Sequence, residues 1–252
     1  MFGPGDSLWV FEPSRRRLTV LTPSLELART SPLPVPTAAA IGYNDGSMIL
    51  QGSIPTRERI GLPLHKVSVD GQLRRSFGAV IPVVRPDNRF LESRRLTSSD
   101  EGQLWSARVS EYVLELWDTS GVHIQTLEVD TPWFKPWKPR SDGSRAGPMI
   151  IDIQQDPHGL VWVLISVADP NARVASDDRA RAATGSQSED RSWEFDSIVE
   201  VVDPKRGLVL ASLRFDQHLR GFACPGIVHG YHEDKEGFPS IRIWSVAMSS
   251  LR

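Results

Sequence analysis

One cysteine in 252 residues, Cys224, excludes an internal disulfide, so packing and hydrogen bonding must hold the fold. That residue reads as a small buried hydrophobe rather than a reactive thiol. No stretch approaches the ~18 apolar residues of a membrane-spanning helix. No cationic start followed by an apolar run marks a signal peptide, so the expected location by default is the cytoplasm. Neither sign of charge dominates. The 29 basic and 31 acidic residues give a net charge of −2, which makes no electrostatic case for nucleic acid or an anionic membrane as partner. The basic runs Arg15-Arg16-Arg17 and Arg94-Arg95 flank strand-like segments and read as solvated hairpin edges. Helical periodicity is missing too. The nearest candidate, 172–183, is too polar to bury a face.

What the sequence has instead is a recurring phrase: an acidic turn ending in glycine, then a strand that often carries tryptophan. Asn44-Asp45-Gly46, Asp100-Glu101-Gly102 and Asp156-Pro157-His158-Gly159 open the copies, their glycines 56 and 57 residues apart. A second phrase answers each one, with an alternating strand on either side of a turn at Pro23, Asp70, Asp118 and Asp203. The first three of those turns are 47 and 48 residues apart, and the last follows after 85. That last interval is one period plus an insertion of roughly 37 residues. Aspartate accepts hydrogen bonds from backbone N–H groups two residues on, and glycine takes the positive φ that a tight hairpin needs. Between the turns run period-two segments such as 112–117 and 240–244. The pattern predicts an all-β chain of radially repeated sheets, a β-propeller of four-stranded antiparallel blades forming a single domain over 1–252. Four units and a terminal hairpin around 226–246 can be counted. The chain is already in a strand by Leu8, which leads us to expect a further blade, and an export signal, upstream of it.

Two segments stand outside the repeat. In 131–139, Pro132, Pro136 and Pro139 hold the backbone extended around Trp133, Phe134 and Trp137. Those three aromatics form either a ligand-binding platform or a plug packed over the blade ends. The second segment, 169–192, is rich in Ala, Arg, Asp, Ser and Gly and nearly free of large apolar residues. It reads as a flexible insertion, long enough to fold over a ligand.

Residues for chemistry are sparse, and none is assigned as catalytic. His229, Tyr231, His232, Glu233 and Asp234 are the densest group of ligand types, which makes His229, His232 and Asp234 the candidates for holding a divalent cation. In a strand, positions 229 and 232 point to opposite faces, so joint coordination requires a bulge or a turn. There is no Gly-x-Ser-x-Gly elbow and no glycine-rich phosphate loop running into a helix. Cys224 lies near His229 but has no orienting third group in sequence. The recurring Asp45, Asp100, Asp156 and Asp234 are explained by turn geometry, without a carboxylate ring around calcium.

The stretches GDSLWVFEPSRRRLTVLTPSLELAR, DEGQLWSARVSEYVLELWDTSGVHIQTLEV, TPWFKPW and DSIVEVVDPKRGLVLASLRF resemble bacterial six-bladed β-propeller proteins, relatives of the NHL and TolB-like propellers. The resemblance spans about 3–247. It implies six blades, of which about five are recognisable here, and an exported or cell-envelope location. Some six-bladed propellers are metal-dependent lactonases with carboxylate and asparagine ligands. Asn44, Asn88 and Asn171 fall at a turn, in a loop and in the insertion, so that ligand pattern is not matched. The expectation is a non-enzymatic binding or scaffold propeller that recognises a peptide, protein or glycan through Trp133, Phe134 and Trp137. The alternative is a metal-dependent hydrolase or lyase with a cation in the central channel, held by groups such as His229 and Asp234.

Overall fold

The computed structural model describes residues 3–35, 39–54, 61–78, 93–99, 102–135, 147–170, 195–234 and 236–248. Trp137 and nearly all of the 169–192 insertion lie outside the described residues. Among the described residues eighteen strands pair, antiparallel throughout, into five sheets. The chain divides into two compact units, Met1–Glu128 and Val129–Arg252.

The first unit holds three sheets. β1 (Leu8–Glu12), β2 (Arg17–Leu21) and β3 (Leu27–Pro32) form a three-stranded meander. β4 (Ala39–Gly42), β5 (Met48–Gln51), β6 (Leu64–Val67) and β7 (Leu73–Phe77) form a four-stranded one. β8 (Arg94–Ser98), β9 (Leu104–Arg108), β10 (Val113–Trp117) and β11 (His123–Glu128) form another. The second unit holds β12 (Met149–Gln155), β13 (Val161–Ala168), β14 (Phe195–Asp203) and β15 (Leu208–Phe215), followed by a three-stranded sheet of β16 (Gly221–Cys224), β17 (Ile227–Glu233) and β18 (Pro239–Ser245). Among the described residues five sheets are found, not the six blades implied by the family resemblance.

The core lies between consecutive sheets. Met48 and Leu50 of β5 join Trp9, Leu18 and Val20 of the first sheet, whereas Ile49, pointing the other way, joins Leu96, Leu104 and Trp117 of the third. All four residues of β5 are therefore buried. A strand sandwiched between two sheets cannot alternate apolar with polar, because both of its faces meet protein. The tryptophans supply much of this packing. Trp9, Trp105, Trp117 and Trp162 are all buried, and Trp117 tilts against Phe77 of the preceding sheet with ring centroids 5.6 Å apart.

Two expectations are corrected. Arg94 is completely buried rather than solvated, because Glu115 faces it: their charged atoms are 3.7 Å apart, and Arg108 donates to Glu115 at 2.8 Å. Cys224 is exposed rather than buried. A register shift between Phe222 and Cys224, at the end of β16, breaks the regular pairing there.

Candidate functional site

Within Val129–Arg252, the last sheet carries a cavity of about 250 Å³. Three stretches build it: 216–218 of the β15–β16 connection, 230–232 of β17, and Arg242 with Trp244 of β18. Register explains why they meet. Gly230 pairs with Arg242 and Val228 with Trp244, so 228, 230 and 232 share a face with 240, 242 and 244. At one end this face is core: Val228 is fully buried and Trp244 packs on the cluster of Trp162, Leu164 and Phe222. At the other end the face opens into the cavity.

Gly230 decides how closely the walls approach. A Cβ at this position would lie 3.3 Å from Trp244 Cζ3 and 3.4 Å from the His218 carbonyl. A methyl group there would push the indole or the 216–220 connection back by a few tenths of an ångström. The connection is itself fixed. Leu219 is buried and its N–H donates to Ser197 Oγ at 2.8 Å, while the Arg220 N–H donates to the His229 carbonyl at 2.8 Å. The His218 ring tilts against Phe195 with centroids 5.5 Å apart. Phe195 begins β14, where the chain returns from the insertion. Arg214 ties both ends of that excursion together by donating to Asp196 Oδ2 at 2.6 Å and to the Ala168 carbonyl at 3.5 Å.

The lining is mixed in polarity and balanced in formal charge, with Asp216 opposing Arg242. Tyr231 donates its hydroxyl to Glu233 Oε2 at 3.2 Å. The walls thus offer an aromatic surface, a carboxylate acceptor, a guanidinium donor and two imidazoles that can do either.

Of the three metal candidates named from sequence, His232 borders this cavity and His229 and Asp234 do not. His229 lies on the opposite face of β17, paired with Gly221. It approaches Asp152 there: a Cβ on Gly221 would meet His229 Cε1 at 3.0 Å and Asp152 Oδ2 at 3.1 Å. Asp152 sits at a register shift in β12, and its carboxylate accepts from the Phe222 N–H at 2.8 Å. Asp234 is engaged in its own turn, where it accepts from the Glu236 and Phe238 N–H groups at 3.0 and 2.8 Å. Among the described residues, no group of three or more His, Cys, Asp and Glu comes together to hold a metal ion. In the proline-rich segment Trp133 is 37% exposed and Phe134 only 6%, their rings tilted by 58° with centroids 5.8 Å apart. Trp133 is therefore the member of that pair offered to solvent.

Sequence reasoning missed Asp216, His218, Arg242 and Trp244. The segment Ile241-Arg242-Ile243-Trp244 shows its alternation openly, yet nothing local says that its polar face meets Gly230 and the 216–218 connection. That meeting depends on the β17–β18 register.

Five antiparallel meanders in succession, with cores between neighbouring sheets inside each unit and the acidic hairpin turn recurring, define, among the described residues, an all-β fold of the β-propeller class with five blades. No family model and no curated protein matches the chain. Among solved structures it is similar to a member of the DUF4221 family from Bacteroides vulgatus, at a TM-score of 0.58 and 12% identity over 96% of this chain and 77% of that one. It is also similar to an inactive virginiamycin B lyase from Staphylococcus aureus crystallised with quinupristin, at 0.49 and 11% over 91% and 74%. A third similarity is to BBS1N in complex with ARL6DN, at 0.48 and 11% over 97% and 62%. At such identities these likenesses concern the fold and leave activity open.

Proposed function

We propose that the chain is a binding propeller rather than a catalyst, a single domain carrying 169–192 as an insertion, and that its ligand seats in the cavity of the β16–β18 blade. The cavity is the observation that carries this reading. A binding site needs a concave, partly apolar wall and a few fixed polar groups. Trp244 supplies the wall, and Asp216, His218, His232 and Arg242 supply the polar groups. Trp133 is a second surface contact for a peptide, protein or glycan, of the exposed aromatic kind that anchors interfaces. A metal-dependent hydrolase or lyase asks for three converging ligands. His229, His232 and Asp234 diverge: one faces Asp152, one the cavity, and one closes a turn.

Saturation-transfer NMR on the full chain tests the reading, with short peptides and methyl glycosides as probes. At least one probe class is expected to bind wild type, to lose most of its signal in Arg242→Ala, and to be indifferent to EDTA. Binding that ignores Arg242→Ala, or that EDTA abolishes, would overturn the assignment.

A further inference from the structure

We infer that the occupant of this cavity is a neutral sugar residue of a glycan, an inference that rests on the binding reading above. Size is the first constraint. At about 250 Å³ the cavity falls just below the ~300–1,000 Å³ of sites that take drug-sized ligands. It has room for one ring-sized unit.

Charge is the second constraint. Asp216 and Arg242 are the formally charged residues of the lining, and they cancel. A carboxylate or phosphate ligand would gain from Arg242 and lose against Asp216, whereas an ammonium would do the reverse. An uncharged polar ligand avoids both penalties. A sugar hydroxyl donates and accepts at once, so a pair of neighbouring hydroxyls can donate to Asp216 while accepting from Arg242. Gln217, His218 and His232 can each serve either role.

The wall is the third constraint. A pyranose presents a face of C–H groups as well as hydroxyls, and an aromatic ring is the side chain suited to cover it. Trp244 occupies that place, held across the bare Cα of Gly230. A peptide would seek something else. Extended peptides are read through a row of backbone donors and acceptors along a strand edge, whereas Gly230, His232, Arg242 and Trp244 line this cavity from a face of the β17–β18 pair.

The test is a calorimetric and NMR titration of the full chain. The probes are methyl glucoside, methyl galactoside and methyl N-acetylglucosaminide, with glucuronate, glucose 6-phosphate and a blocked tripeptide as comparators. At least one neutral glycoside is expected to bind, with a Kd on the order of millimolar for so small a ligand. Asp216→Asn and Trp244→Ala should each weaken it by roughly tenfold, about the worth of one good polar or stacking contact. Trp244→Phe keeps an aromatic wall and should retain most of the affinity, which covers the case in which Trp244→Ala fails to fold. Tighter binding of the charged sugars than of the neutral ones would overturn the inference. So would binding of the tripeptide alone with the same dependence on Trp244, but that result would leave the cavity as a binding site. Silence of every probe would remove both.

Discussion

Tyr43 shows how a single buried hydroxyl can set a pH limit. Its backbone closes the β4–β5 hairpin, donating to the Ser47 carbonyl and accepting from Gly46, both at 2.9 Å. Its hydroxyl is buried and meets no hydrogen-bond partner among the described residues. Burial, and then the nearby charge of Asp45, push its pKa up to about 12. The fold therefore favours the neutral phenol. This contribution is complete below the unfolded pKa of about 10 and is lost as pH climbs from there through the folded value. Tyr43→Phe removes both the unpaired hydroxyl and its titration. The variant is expected to be as stable as wild type at neutral pH or more so, by up to about 1–2 kcal/mol. It should also lose less Tm between about pH 9 and about pH 11. Melting curves at the two pH values decide it, and equal alkaline losses in both proteins would refute the argument. Asp156 is the converse case, a nearly buried carboxylate that is fully employed. It accepts from the His158 and Leu160 N–H groups at 2.9 and 3.0 Å and from the Trp162 indole N–H at 3.1 Å. In this copy of the repeat, the acidic turn and the tryptophan after it are one hydrogen-bonded unit.

At the scale of the element, the turn between the last two strands of a blade does a second job. Gly71, with φ +84°, closes β6 onto β7, and a Cβ there would lie 2.3 Å from the Pro32 carbonyl of the preceding sheet. Gly121, with φ +81°, closes β10 onto β11, and its Cβ would lie 2.7 Å from the Phe77 ring. Each glycine thus satisfies the hairpin and spaces the neighbouring blades. Alanine at either position is strained by its φ and also collides. Gly71→Ala meets rigid backbone, so its cost should exceed that of Gly121→Ala, where a side chain can yield. Urea denaturation is expected to show losses of about 2–4 kcal/mol and about 1–3 kcal/mol respectively. The reverse order would mean that the close approach to Pro32 is not limiting. Such turns are legible in sequence because their chemistry is local: aspartate, glycine and their spacing suffice. Burial on both faces was harder to foresee. Nothing near Arg94 in the chain announces Glu115, and nothing near Gly230 announces Arg242 and Trp244. Those partners are set by strand register, which a single sequence does not display.

At the scale of the whole molecule, the repeat revealed the all-β class and the blade order, while the candidate site lay in the last blade, where strand register rather than the repeated phrase brings its residues together. The same repeat also gives the first three-sheet unit a shared acid sensitivity. Asp45 lies in the turn between the first two strands of its blade and Asp70 and Asp118 in turns between the last two, and serine hydroxyls from Ser47, Ser68 and Ser120 are the leading cause that lowers each carboxyl below its ordinary value. Backbone N–H groups add to this, such as that of Ser47 on Asp45 and that of Val122 on Asp118, both at 2.8 Å. A depressed folded pKa means that the stabilisation is present above the unfolded value of about 3.9 and is lost as pH falls through the folded values. Each group is solvent-exposed, so each contribution is modest and screened by salt, but the three titrate together. The triple variant Asp45→Asn, Asp70→Asn, Asp118→Asn keeps a side-chain carbonyl to accept the turn hydrogen bonds and removes the charge. It is expected to start slightly less stable near pH 6 and to lose distinctly less Tm on going to about pH 3. Hydrogen exchange should place the acid-induced opening of wild type within Met1–Glu128, where all three turns lie. A triple variant that parallels wild type over the whole acid range would show that these turns fix geometry without coupling it to protons.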